Sequence, residues 1–175
     1  LCVRREPRLG LVPLLHGGGQ ERGLRPGTVA THQVVGMGAA CRIAAEEWAE
    51  ECGRICDLRE RLWGGLAALP GVTLNGHPTQ RAPGILSFTV DGVEGESLLY
   101  ALPGLAVASG SACATTSAEP SYVLRALGRS DRLAQSSLRL SLGRYTTAGD
   151  IEQAVQAIRA AVERLRAVAP PGAAG

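Results

Sequence analysis

The sequence has 175 residues, 45% of them apolar, and a net charge of +2, the profile of one globular domain or of one domain with part of another. Only 3% of the residues are aromatic and the basic residues are scattered, which excludes a base-stacking nucleic-acid surface and an anionic-membrane footprint. All 18 basic residues are arginine, so chemistry that needs a lysine amine must take it from outside this polypeptide.

Leu1-Cys2-Val3, followed by Arg4 and Arg5, reads as the end of a strand, so the sequence is expected to start inside a fold. A glycine-rich segment runs from His16 to Thr28 and leads into an apolar stretch. Over 34–69 the apolar positions 48, 52, 55, 58, 62, 66 and 69 recur in steps of three and four, one face of a long helix. Gly64-Gly65 weakens its last turns and Pro70-Gly71 stops it. Residues 72–74 form a short strand ended by Asn75-Gly76, and 85–90 alternate apolar and polar as a half-buried strand does. A helix over 96–102 closes at Pro103-Gly104, and 105–108 form a third strand. A helix follows over 119–127, with Pro120 where a helix start tolerates it. In 137–142, Leu138, Leu140 and Leu142 share one strand face while Ser137, Arg139 and Ser141 share the other. Thr147 and Asp150 form a capping-box variant ahead of a last helix reaching Val168, and 169–175 read as a disordered tail. The order α-β-β-α-β-α-β-α predicts an α/β sandwich with a sheet of three or four strands.

Cys113 is the only thiol in the run Ser109-Gly-Ser-Ala-Cys-Ala-Thr-Thr-Ser117. Nothing in that run builds a core, so the loop is expected to be mobile and its thiol presented to a partner, although most free cysteines are small buried hydrophobes. Arg139 projects from a rigid strand, where a guanidinium fork can grip a carboxylate at two points; a solvated surface arginine is the plainer alternative. Arg144 reads as structural. Three consecutive glycines at 17–19 bring backbone N–H groups close to an anion, and Thr28 offers a hydroxyl whose plainer role is helix capping. His16, His32 and His77 are isolated and take no catalytic role. Cys52 and Cys56 stand one helical turn apart; packing explains them better than a shared metal, since no other ligand accompanies them. Five cysteines without a CxxC pair, no secretory leader and no apolar run of ~20 residues predict a reducing, cytoplasmic location.

These motifs combine. His16-Gly-Gly-Gly-Gln-Glu-Arg-Gly-Leu-Arg-Pro-Gly-Thr28, Leu74-Asn-Gly76, Val93-Glu-Gly-Glu-Ser-Leu98 and Ser109-Gly-Ser-Ala-Cys113 occur in order. Glu119-Pro-Ser-Tyr-Val-Leu-Arg-Ala-Leu-Gly128 and Ser136-Ser-Leu-Arg-Leu-Ser-Leu-Gly-Arg144 follow. The chain resembles the C-terminal part of a cysteine desulfurase of the NifS/IscS class, pyridoxal-phosphate enzymes of the class-V aminotransferases with the aspartate-aminotransferase fold. The resemblance covers all but the tail.

It implies conversion of L-cysteine to L-alanine, with the sulfur held on the enzyme as a persulfide and supplied to iron–sulfur cluster assembly and other acceptors. Cys113 matches the catalytic cysteine, Arg139 the arginine that holds the substrate carboxylate, and Thr28 the threonine that bonds the cofactor phosphate across a homodimer. It also admits a transient [2Fe–2S] contact at Cys113 shared with a scaffold protein. Residues 1–33 would then be the edge of the large cofactor-binding domain, and 34–168 the small domain carrying the cysteine loop 109–118. The family's Schiff-base lysine has no counterpart here, and Ala169-Pro170-Pro171 stands where its scaffold-docking extension is expected. The resemblance therefore implies a fragment inactive by itself. A non-catalytic sulfur carrier or interaction module, and a structural remnant, are the alternatives; an upstream frame ending in Ser-x-His-Lys would favour the enzyme.

Overall fold

The structure, a computed structural model, describes residues 3–4, 6–7, 9–109 and 119–168. The expected cysteine loop, including Cys113, and the expected tail lie outside the described residues. The chain divides into two units, Leu1–Trp48 and Ala49–Gly175. Helix α1 (Thr31–Ala67) spans the division, and each part of it is described with its own unit.

In the first unit, Val3 and Arg4 are not in a strand, contrary to the expectation for the start of the sequence. The glycine-rich segment contains a short 3-10 turn, Gln20–Gly23, that the sequence reading missed. Glu21 and Arg22 hold positive φ there, at 51° and 59°, and Gly23 and Gly27 follow at 77° and 100°. Side chains with a Cβ occupy this left-handed region at a cost, so the turn needs a tether. Gln20 provides one, its Oε1 accepting from Gly27 N at 3.1 Å. A Cβ on Gly18 would meet only the far end of that Gln20 side chain, which can shift aside.

The second unit holds a four-stranded antiparallel sheet of order β1-β2-β4-β3, with β1 Val72–Leu74, β2 Ile85–Val90, β3 Ala108–Ser109 and β4 Ser137–Ser141. Period two sorts the strand residues into two faces. Leu86, Phe88, Val90, Leu138 and Leu140 point to one face and are buried. There they join Leu58, Leu62, Leu66 and Leu69 from the end of α1 and beyond, Leu98 of α2 (Gly95–Tyr100), and Ile151, Ile158 and Val162 of α5 (Ala148–Val168) in one core. The helical stripe read from the sequence is buried from Ile55 onward, whereas Trp48 is exposed. Gly65 does not end α1 early. A Cβ there would come within 2.7 Å of Val155, so the glycine admits α5 to close approach.

The third strand is two residues at 108–109 instead of four at 105–108. Leu105 and Val107 pack against the core, and on this side of β4 the pairing takes in Ala108 and Ser109. Helix α3 spans Tyr122–Ala126, three residues later than Glu119, leaving Pro120 ahead of the helix. A helix the sequence reading missed, α4 (Asp131–Gln135), follows, with Ser130 accepting from Leu133 N as its N-cap. Five residues are too few to show a 3.6-residue period. The capping box ahead of α5 is present: Asp150 N donates to Thr147 Oγ1 and Thr147 N donates to Asp150 Oδ2.

Candidate active site

The second face of the sheet is polar. Asn75 ends β1, and Gly76 beside it turns the chain at φ 83°. Asn75 is 6% exposed, while Thr89 and Ser137, paired across β2 and β4, are fully buried. Buried polar groups need partners, and these supply one another. Asn75 Nδ2 donates to Ser87 Oγ at 3.3 Å and to Ser137 Oγ at 3.2 Å. Asn75 Oδ1 accepts from Arg129 Nε at 2.8 Å and lies 3.0 Å from Thr89 Oγ1. Arg129 Nη2 also donates to the Leu74 carbonyl at 2.6 Å, and Ser137 Oγ donates to the Leu133 carbonyl of α4. The network thus ties β1, β2 and β4 to the segment that follows α3. Sequence reading took Asn75 for a turn residue and missed the network; the Ser-x-Arg-x-Ser alternation at 137–141 was the signal that one face is polar.

Arg139 stands on this same face, beyond the network. Its cross-strand neighbours are Ser87 on β2 and Ala108 on β3. Small neighbours leave its side chain exposed. No hydrogen bond or ion pair engages Arg139 among the described residues, so its guanidinium fork is open to an external acceptor. Ser109, paired with Leu138, is the last described residue before the Cys113 segment. Ser109 thus stands one residue after the position opposite Arg139 and four positions before Cys113 in sequence.

Arg144 is structural, as read from the sequence. It pairs with Glu51 at 2.7 Å, and Arg54 donates to the Thr146, Arg144 and Gly143 carbonyls. Together they pin the turn between β4 and α5 to α1. The Arg144 bond holds the Glu51 carboxyl below its ordinary range. His77 is also structural, its Nδ1 accepting from Thr79 N and Gln80 N. Cys52 and Cys56 are half-buried on α1, and burial together with the neighbouring Cys56 thiol pushes the Cys52 thiol up, away from the reactive thiolate.

Thr28 belongs to the first unit. It is exposed and stands three residues before α1, so it is not the N-cap of that helix. Its hydroxyl is engaged by no hydrogen bond among the described residues. A complete pyridoxal-phosphate site does not fit this chain, because the sequence contains no lysine to carry the imine.

No helix among the described residues is long and apolar enough to cross a membrane. The aminotransferase class-V family model matches residues 1–154. The chain is 58% identical over 170 residues to cysteine desulfurase IscS of Methylococcus capsulatus, covering 97% of this chain and 42% of that protein. It is 55% identical to cysteine desulfurase IscS of Aeromonas salmonicida with the same coverage. It thus spans well under half the length of the curated relatives it matches. Among solved structures, a NifS-like protein from Rickettsia africae superposes with a TM-score of 0.78 at 27% identity, over 89% of this chain and 41% of that one. A second NifS-like protein gives a TM-score of 0.76 at 33% identity, over 87% of this chain and 39% of that one. The fold expected from the sequence is therefore the one the structural neighbours have, and the chain belongs to the aminotransferase class-V family.

Proposed function

We propose that this chain is part of a pyridoxal-phosphate-dependent cysteine desulfurase, with Arg139 holding the substrate carboxylate and Cys113 taking the sulfur. The supporting observation is the strand register: Ala108, opposite Arg139, is followed by Ser109 and then by the segment that carries Cys113. Cys113 lies four positions beyond Ser109, a span of at most about 14 Å for an extended chain. The thiol is thus tethered within reach of a substrate held at Arg139.

Pyridoxal phosphate, when bound, supplies the electron sink that labilises the Cα proton of L-cysteine and weakens its Cβ–S bond. The Cys113 thiolate attacks the substrate sulfur. A Cys113 S–S bond forms as the substrate C–S bond breaks, and the released carbon is protonated. L-cysteine and a thiol thereby become L-alanine and a persulfide, with no external oxidant or reductant. Thr28 would bond the cofactor phosphate from across a homodimer, and the imine lysine would have to be supplied from outside this chain. In this reading residues 1–33 border the cofactor-binding domain and 34–168 form the small domain. The persulfide passes in the cytoplasm to an iron–sulfur scaffold or another acceptor, and a scaffold can share a transient [2Fe–2S] contact with Cys113.

The curated relatives are named as desulfurases, and no observation favours a non-catalytic sulfur carrier. The test is L-alanine formation from L-cysteine by a full-length protein carrying this sequence, loaded with pyridoxal phosphate. Alanine accumulating with a thiol acceptor present supports the reading, and a loaded protein that forms none contradicts it.

A further inference from the structure

Ser87 lies directly opposite Arg139 on β2. Opposed residues of an antiparallel pair share a face, with Cβ atoms about 5 Å apart. The protonation pattern of Ser87 follows from its neighbours. A guanidinium only donates, so the Asn75 oxygen must face Arg129, which bonds it at 2.8 Å. The Asn75 amide nitrogen is then turned toward Ser87 and Ser137. Ser87 Oγ must therefore accept from Asn75, which leaves its own proton to be donated elsewhere. The described residues offer that proton no acceptor. Ser87 is only partly buried, and Asn75, at 6% exposed and bonded on both ends of its amide, is held in this orientation.

We propose that Ser87 is the second donor of a carboxylate subsite shared with Arg139, and that Asn75 is the positioning residue that turns the Ser87 proton toward the open face. The proposal rests on the assignment of Arg139 under the proposed function. The guanidinium fork takes one edge of the carboxylate, and the hydroxyl takes a remaining lone pair, directly or through one water. The ligand class is an α-amino carboxylate. An amine without a carboxylate gains nothing from either residue.

The test compares equilibrium binding of L-alanine and of ethylamine, its decarboxylated analogue, to the full-length cofactor-loaded protein, read from the cofactor's visible absorbance. Ser87→Ala is expected to weaken L-alanine binding about tenfold, the loss of one hydrogen bond to a charged group, and to leave ethylamine binding unchanged. Ser87→Thr, which keeps the hydroxyl, should retain L-alanine affinity. Ser87→Cys, a weak donor of similar size, should fall with Ser87→Ala and serves if that variant does not fold. Asn75→Ala should lower the alanine-to-ethylamine ratio in the same direction, a readout that general loosening of the fold would not move. A parental ratio in both Ser87→Ala and Ser87→Cys overturns the proposal, as does an equal loss for both ligands. Arg139→Ala, run alongside, separates the two levels. If it collapses the ratio while Ser87→Ala does not, only the Ser87 assignment fails. If it leaves the ratio unchanged, the assignment of Arg139 fails and the subsite with it.

Discussion

The two faces of the sheet are built from the same strands by different physics. One face, of Leu86, Phe88, Val90, Leu138 and Leu140, packs against α1, α2 and α5. It is held by apolar burial, which is non-directional and tolerates exchange of similar volumes. The other, of Asn75, Ser87, Thr89 and Ser137 beside Arg139, is held by directional bonds that fix which atom faces which. The first face carries the stability of the sheet. The second spends little area on stability and specifies the orientation of a few polar groups beside Arg139.

Substitutions that separate those roles break or sharpen the contrast. Phe88, fully buried on the apolar face, should be the most costly: Phe88→Ala is expected to lose about 3–5 kcal/mol in urea unfolding. A loss under 1 kcal/mol would mean this face is not the core. Asn75→Ala should cost about 1–3 kcal/mol, because it strands buried partners, and should also weaken carboxylate binding. Arg139→Ala is expected to leave unfolding unchanged. In the full-length enzyme it should raise KM for L-cysteine by ten- to hundredfold, from about 1.5–3 kcal/mol for a charged hydrogen bond. An unchanged KM would return Arg139 to a solvated surface role.

Smaller effects test the borders of the two faces. Thr147→Ala, at the start of α5, should cost about 1 kcal/mol as a lost cap. Acid should act through the carboxylates that hold the elements together. Arg144 lowers Glu51, Arg132 lowers Asp91, Arg125 lowers Asp131, and the Thr147 backbone N–H lowers Asp150. Each folded-state pKa lies below its unfolded value, so each contribution is complete above the unfolded pKa near 4 and is lost as pH falls through the folded one. Stability should therefore decline below about pH 4, and Asp150→Asn should flatten that decline without altering KM.

The sequence made the apolar face legible because period two and period 3.6 are direct readings of burial. The strands at 72–74 and 85–90 have the bounds read from the sequence, and the α1 stripe holds from Ile55 onward. The polar face was legible only at Arg139, where alternation exposed it. Asn75 and Thr89 look like turn and strand-surface residues in sequence, and their burial depends on Arg129 and α4 arriving from about 50 residues away, as the Asn75–Arg129 separation of 54 shows. The same limit explains Gly95. It reads as part of a motif, yet its reason is spatial, since a Cβ there would collide with the Gln135 carbonyl. Thr28 was read through its motif, and the structure adds that it stands outside the cap position of α1.

The central claim is that sulfur from L-cysteine ends on Cys113. Mass spectrometry of peptides from the full-length, cofactor-loaded protein, treated with L-cysteine and then alkylated, tests it most directly. The account predicts one additional sulfur atom on the Cys113 peptide and none on the peptides of Cys41, Cys52 or Cys56, with L-alanine lost in Cys113→Ser. Extra sulfur on another cysteine, or alanine formed at the parental rate by Cys113→Ser, would contradict it.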